Sequence, residues 1–195
     1  MLVLHKVLCS FPKERLAARA AQSAAARGLL LNVTEKLGIK PSPILKTEKG
    51  RPYFKDLPLV DFSLAHTDGI AVCALWQADG ELSPRVGIDV EHITHFDSKK
   101  ISAFAARFFG THERSYVLAA KDQAAAFTEV FVKKEAFAKY RGDGIGAHLS
   151  CTDTYAPDFE ATHGVCFHAA RDGDYFISLC VTSTCAEPPL SFDEI

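Results

Sequence analysis

Residues 86–91, Val-Gly-Ile-Asp-Val-Glu, alternate between apolar and other side chains without a break. A period of two marks a β-strand, with Val86, Ile88 and Val90 on one face and Gly87, Asp89 and Glu91 on the other. Such a strand needs a core against its apolar face, while its two carboxylates are expected to face solvent near the strand end. A second segment complements it. Asp122–Arg141 is rich in Ala and reads as a helix, with Asp122 as N-cap and Gly142 as the stop, and Glu135 and Lys139 are i,i+4 neighbours on its surface. Three carboxylates converging with one lysine suit a hard divalent cation, Mg²⁺ in the first place, and the phosphates it bridges.

Around these two segments the pattern mixes strands and helices throughout, which gives an α+β fold. Residues 1–8 read as a strand. A helical region runs from Pro12 to about Leu37, with Leu30, Val33 and Leu37 as a core-facing stripe and Gly38 and Pro41 ending it. Strands are expected at Val60–Leu64 and Ile70–Trp76, then a break over Gln77–Pro84, then a strand at Arg85–Glu91. Ser98–Phe108 and Thr111–Ala120 read as helices, and His148–Thr152, Val165–Ala169 and Tyr175–Thr182 as closing strands. The tail from Ala186 carries two prolines and three acidic residues and reads as loosely held.

Charge and composition exclude several classes. With 195 residues, 48% of them hydrophobic, the chain can bury a core in one or two units. A net charge of −2 argues against bulk electrostatic binding to nucleic acid. No apolar run is long enough to span a membrane. The opening Met1–Cys9 has His5-Lys6 in its middle and no basic leader, so it reads as a strand and not as a signal peptide. The six cysteines show no C-x-x-C spacing, and a reduced, cytoplasmic setting is expected.

The ordered elements resemble the Sfp-type 4′-phosphopantetheinyl transferases. These are Gly50-Arg51-Pro52-Tyr53, Phe62-Ser63-Leu64-Ala65-His66-Thr67, Gly87-Ile88-Asp89-Val90-Glu91, Arg107-Phe108-Phe109 with Glu113, Phe131 through Lys139, and Gly142-Asp143-Gly144-Ile145. The resemblance implies transfer of the phosphopantetheine arm of coenzyme A to a serine of an acyl or peptidyl carrier protein, with release of adenosine 3′,5′-bisphosphate. It also implies two similar half-domains related by pseudo-twofold symmetry, with the active site in the cleft between them. Residues 1–80 would carry the nucleotide contacts and 85–185 the metal site and motif helix, leaving 186–195 as a tail.

Carried over residue by residue, Asp89, Glu91 and Glu135 would hold Mg²⁺, Glu135 and Lys139 would be catalytic, and Arg27, Arg51, His66 and Lys139 would contact coenzyme A. The expected protein is a monomer with no nucleic-acid or membrane partner. Phe108, Phe109, Val117, Leu118 and Lys121 are the candidate carrier-docking patch. Two positions depart from the family pattern: Phe131 replaces a Trp and loses its indole N–H, and Ala65 lacks a hydroxyl near the nucleotide phosphate. A non-catalytic relative that binds coenzyme A or a carrier protein is the alternative these departures leave.

Overall fold

The alternating and Ala-rich segments build two sheets, each backed by one long helix, in an α+β arrangement. The computed structural model describes residues 1–8, 10, 12, 14–79, 83–144, 146, 150–183 and 193–194. In chain order the elements are β1 (Leu2–Leu8), α1 (Arg15–Lys36), β2 (Ile44–Lys46), β3 (Pro52–Phe54), β4 (Val60–Thr67), β5 (Ile70–Gln77) and β6 (Val86–His92). They continue with α2 (Ser98–Phe108), α3 (Thr111–Ala119), α4 (Gln123–Arg141), α5 (Phe159–His163), β7 (Val165–Asp172), β8 (Tyr175–Thr182) and β9 (Asp193–Glu194).

The first sheet has the order β4-β5-β1-β9 and the second β6-β8-β7, while β2 and β3 form a separate hairpin. The two sheets share one wiring. A strand, a long helix and two further strands follow in sequence, and the last strand takes the central place: β1, α1, β4, β5 in one and β6, α4, β7, β8 in the other.

Alternation decides which face of each strand meets which layer. Val86, Ile88 and Val90 of β6, with Ile177, Leu179 and Val181 of β8, pack on Ile70, Val72, Ala74 and Trp76 of β5, so the main core lies between the sheets. The opposite face of the first sheet offers Phe62, Cys73 and Leu75 to α1, which answers with Leu29, Leu30 and Val33 and partly buries Leu37, the stripe that helical spacing predicts. The opposite face of the second sheet meets α4, where Ala136 and Phe137 pack on Val165 and Cys180. A third cluster, with Phe109 and Phe127 at its centre, joins α2 and α3 to the first half of α4.

β4 and β6 lie edge to edge but share no ladder among the described residues. Side chains make the seam instead: Asp61 Oδ2 accepts the Val86 N–H at 2.8 Å and Ser63 Oγ accepts the Ile88 N–H at 3.0 Å. These bonds satisfy edge N–H groups of β6 that would otherwise be buried without a partner.

Several boundaries differ from expectation. α1 starts at Arg15, not at Pro12, and β4 and β6 run on to Thr67 and His92. The strand expected at 148–152 is absent where it can be seen: residues 150–151 form a turn and 152 is irregular, while 148–149 lie outside the described residues. Thr152 is drawn instead to Lys134, whose ammonium its carbonyl accepts at 2.5 Å. Within the tail, Asp193–Glu194 pairs in parallel with β1, and the remaining tail residues lie outside the described set. Cys73, Cys151, Cys166 and Cys180 are not in disulfides; Cys9 and Cys185 lie outside the described residues. Among the described residues no helix is long and apolar enough to cross a membrane.

Candidate active site

The site forms where α4 lies closest to β6, and a glycine permits that approach. A Cβ on Gly87 would fall 2.2 Å from the Ala136 carbonyl oxygen and 2.4 Å from the Tyr140 nitrogen, inside the helix backbone. Asp89 and Glu91 continue the same strand face, so they come under the Glu135 and Lys139 side of the helix. Lys139 Nζ donates to Asp89 Oδ1 at 2.6 Å and to the Leu64 carbonyl of β4 at 3.2 Å, tying helix, strand and seam together. Thr67 Oγ1 donates to Glu91 Oε2 at 2.9 Å. The solvent-facing Asp89 expected from a strand end is not what the fold makes. β6 extends past it and α4 covers it, leaving Asp89 only 6% exposed.

Burial and like charge then set the electrostatics. Desolvation first, and the Asp89 carboxylate second, push the Glu135 carboxyl from 4.5 up to about 7, with Lys139 opposing and Glu91 adding to the rise. Burial also raises Asp89, against the pull of Lys139. Glu91 is raised by burial and then by Asp89. The carboxylates therefore sit within electrostatic reach of one another and resist full ionisation.

These residues suit a hard divalent cation. Asp89 Oδ2 is buried and accepts no hydrogen bond, and the mutual repulsion of the carboxylates is what a cation would relieve. Among the described residues no three His, Cys, Asp or Glu side chains, Asp89, Glu91 and Glu135 included, come together as a group that could hold a metal ion by themselves. Waters and phosphate oxygens would have to complete the shell, as Mg²⁺ commonly requires. His92 and His95 stand with ring centroids 5.6 Å apart beyond the acidic strand and belong to no such set.

Two cavities flank the carboxylates. One, of about 260 Å³, is lined by Arg51, Phe62, Leu64, Glu135 and Lys139 among others. The second, of about 320 Å³, opens on Glu91 and is walled by Phe96, Phe104, Phe127 and Phe131. Phe131 stacks with Phe127 at 6.2 Å between centroids, so the position keeps an aromatic wall without an indole N–H.

The expected nucleotide contacts lie in different settings. His66 is half-buried with Nδ1 lacking a hydrogen-bond partner, and burial, then Lys139, lowers its pKa. Arg51 lines the first cavity, but its guanidinium is already engaged by Asp61, the Val86 carbonyl and the Lys139 carbonyl. Arg27 is exposed on α1. Arg19, on the same helix, is the arginine whose charge reaches His66. Nothing in the sequence singled it out beyond its place among the basic residues of α1.

The sequence also gave no role to the buried pair behind the site. Lys134 and Glu113 have no solvent exposure, and Lys134 Nζ donates to both carboxylate oxygens at 2.9 and 2.7 Å. Glu113 further accepts from Gly110 N and from Thr154 N and Oγ1, which pins α3, α4 and the 152–154 segment to one point. At the other end of α4, Gly142 adopts φ 77° to close the helix, and Arg85 donates to the Tyr140 and Arg141 carbonyls at 2.7 and 2.8 Å. In the expected docking patch, Phe109 and Val117 are buried in the third cluster and Phe108 packs against it, leaving Leu118 and Lys121 exposed.

Comparisons with known proteins converge on one family. The chain is 36% identical over 123 residues to the 4′-phosphopantetheinyl transferase psf-1 of Bacillus pumilus, covering 61% of this chain and 48% of that protein. It is 38% identical over 71 residues to a holo-[acyl-carrier-protein] synthase of Ruthia magnifica subsp. Calyptogena magnifica, covering 35% of this chain and 56% of that one. The chain thus spans about half the length of the curated relatives it matches. The 4′-phosphopantetheinyl transferase superfamily matches residues 85–181. That stretch holds β6, α4 and the sheet between them, with Asp89, Glu91, Glu135 and Lys139 all inside it, and the chain belongs to the 4′-phosphopantetheinyl transferase superfamily.

Proposed function

We propose that the protein is a magnesium-dependent enzyme that moves the 4′-phosphopantetheine arm of coenzyme A to a serine of an acyl or peptidyl carrier protein, releasing adenosine 3′,5′-bisphosphate. The observation that carries this is the Glu135 carboxyl, raised to about 7 beside Asp89 at the wall of a cavity. A module that only bound coenzyme A or a carrier would need no buried carboxylates gathered beside a lysine at a cavity wall.

In the reaction the serine oxygen bonds to the phosphorus bearing the pantetheine arm, the bond from that phosphorus to the bridging oxygen breaks, and the serine proton departs. Glu135 receives that proton, directly or through a water, with its position beside the serine supplying much of the effect. Lys139, already beside Asp89, turns its ammonium to the phosphates as a compact positive charge. Asp89, Glu91 and Glu135 are the residues to hold Mg²⁺, which when bound would neutralise the pyrophosphate and the leaving oxygen.

His66 takes the 3′-phosphate with Arg19 as the nearby positive charge. A direct contact from Arg51 requires its guanidinium to leave Asp61, so its first role is to fix the end of α4 beside the nucleotide. Arg27 lies farther along the same helix as Arg19.

Residues 1–80 then supply nucleotide contacts and 85–185 the metal and proton chemistry, with 186–195 as a tail. The shared strand-helix-strand-strand wiring supports a pseudo-twofold relation between the halves, with the cavity along Leu64 and Lys139 as the cleft. One chain supplies every group named, which suits a monomer, and the proposed setting is the cytoplasm, where thiols stay reduced.

The test is to incubate the protein with coenzyme A, Mg²⁺ and several apo carrier proteins and to weigh the carriers by mass spectrometry. One carrier should gain a phosphopantetheine, EDTA should stop the gain, and Asp89→Asn should abolish it. Coenzyme A binding without any modified carrier would favour the non-catalytic reading.

A further inference from the structure

Two turns from distant parts of the chain make the rim of the first cavity. Lys49 and Gly50 line one side from the turn that joins β2 to β3, and Gly142 and Gly144 line the other from the turn that follows α4. Between those two glycines stands Asp143, and Lys49 Nζ donates to its Oδ1 at 2.6 Å. The pair joins residues 94 apart in sequence and so spans the rim from side to side.

The two partners are held unequally. Asp143 is fixed from its own side, because Arg141 Nε lies 3.5 Å from Oδ2. The hydrogen bond from Lys49 is the first cause that holds its carboxyl below the usual value. Lys49 is 65% exposed and has no other polar partner among the described residues. The hairpin that carries it is lightly attached. β2 and β3 pair with each other and join neither larger sheet, and all three residues of β2 are exposed. Phe54 and Arg51 tie the β3 side to β4 through Phe62 and Asp61, while the turn itself, closed by Gly50 N–H to the Thr47 carbonyl at 2.9 Å, reaches across the cavity through Lys49.

We propose that Lys49 and Asp143 form a gate across the mouth of this cavity, shut when the pair is made and open to coenzyme A when it parts. The inference rests on the cavity being the coenzyme A site, as proposed above, and needs no bound metal. The flexible four-carbon stem of Lys49 lets the gate open with both backbones in place. An exposed ion pair is weak and stays made only part of the time, so the gate slows passage by about two- to fivefold. It does so in both directions, because a ligand leaving the cavity passes the same rim.

The test is stopped-flow release of coenzyme A that carries a fluorophore on its thiol, chased with excess unlabelled coenzyme A in Mg²⁺ buffer without a carrier protein. Lys49→Met and Asp143→Ala should each speed release about two- to fivefold. The double variant should match the singles, because an absent gate opens no further. The gain should shrink as salt is raised and the wild-type pair is screened. The sign of the two single effects decides the matter. A Lys49 that simply attracted the anionic ligand would make release faster in Lys49→Met and slower in Asp143→Ala, so opposite shifts overturn the gate. Release unchanged in either single variant overturns it as well. A wild type that binds no coenzyme A overturns the reading of the cavity itself, and the gate with it.

Discussion

Replacing Glu135 by Gln should make the metal-free protein more stable at high pH, in proportion to how far the fold has raised that carboxyl. Its folded pKa is about 7 against 4.5 unfolded, with burial the first cause and Asp89 the second. The folded state therefore holds the proton to higher pH than the unfolded state does. The stability this contributes is full below 4.5 and is lost as pH rises through about 7. At about 1.4 kcal/mol per pH unit the gap corresponds to roughly 3 kcal/mol. The carboxyl is half-buried, not sealed, and solvent screening reduces this to about 2 kcal/mol.

Glutamine mimics the protonated form and escapes the penalty. In EDTA at pH 8, Glu135→Gln should melt about 4–8 °C above wild type, at about 2–4 °C per kcal/mol for a chain of this size. The difference should shrink toward zero at pH 5. Saturating Mg²⁺ should reverse the order by stabilising wild type, by about 2.7 kcal/mol at a hundred times its Kd, while leaving the variant little changed. Melting curves at four pH values with and without Mg²⁺ check this. A variant no more stable than wild type at pH 8 in EDTA, or an offset that does not vary with pH, would refute the electrostatic account of the site.

Other outcomes follow from particular contacts. Gly87→Ala should push α4 off β6, cost about 1–3 kcal/mol and lower turnover more than coenzyme A affinity, as read by denaturation and by a kcat and KM split. Lys134→Met should destabilise by about 3–5 kcal/mol, and the double variant with Glu113→Leu should lose less than the two single losses combined, measured in a double-mutant cycle. His66→Ala and Arg19→Ala should each reduce the preference for coenzyme A over dephospho-coenzyme A while Arg27→Ala leaves it, and calorimetry showing the reverse ranking would return that contact to Arg27.

The parts of the fold legible in the sequence are those with enough residues to display a period. β8 and the helices α2 and α4 fall where alternation, caps and Ala content put them, because each runs seven residues or more. The three-residue strands β2 and β3 and the five-residue α5 carry too few positions to show either period. The stretch around Cys151-Thr152 has strand-like composition, but its backbone is recruited by Lys134, a preference no local pattern records. In the site, period two was enough to put Asp89 and Glu91 on one face. Burial of Asp89 was not legible, because it depends on Gly87 admitting a helix from far along the chain. Glu113 and Lys134 stand in two separate elements of the family resemblance with no local pattern linking them, and only the tertiary packing makes them a buried pair.

The arrangement at the seam explains why so much of the fold is devoted to holding α4. Three carboxylates kept close together repel one another, and left to itself a helix carrying Glu135 would drift from a strand carrying Asp89. Lys134 anchors the helix middle to Glu113, Arg51 and Arg85 bind its last carbonyls, and Lys139 bridges Asp89 to Leu64 across the seam. Each of these contacts acts against the repulsion at a different point along the helix. A cluster of like charge that the chain must restrain this firmly is better understood as serving the chemistry proposed for this site than as serving stability.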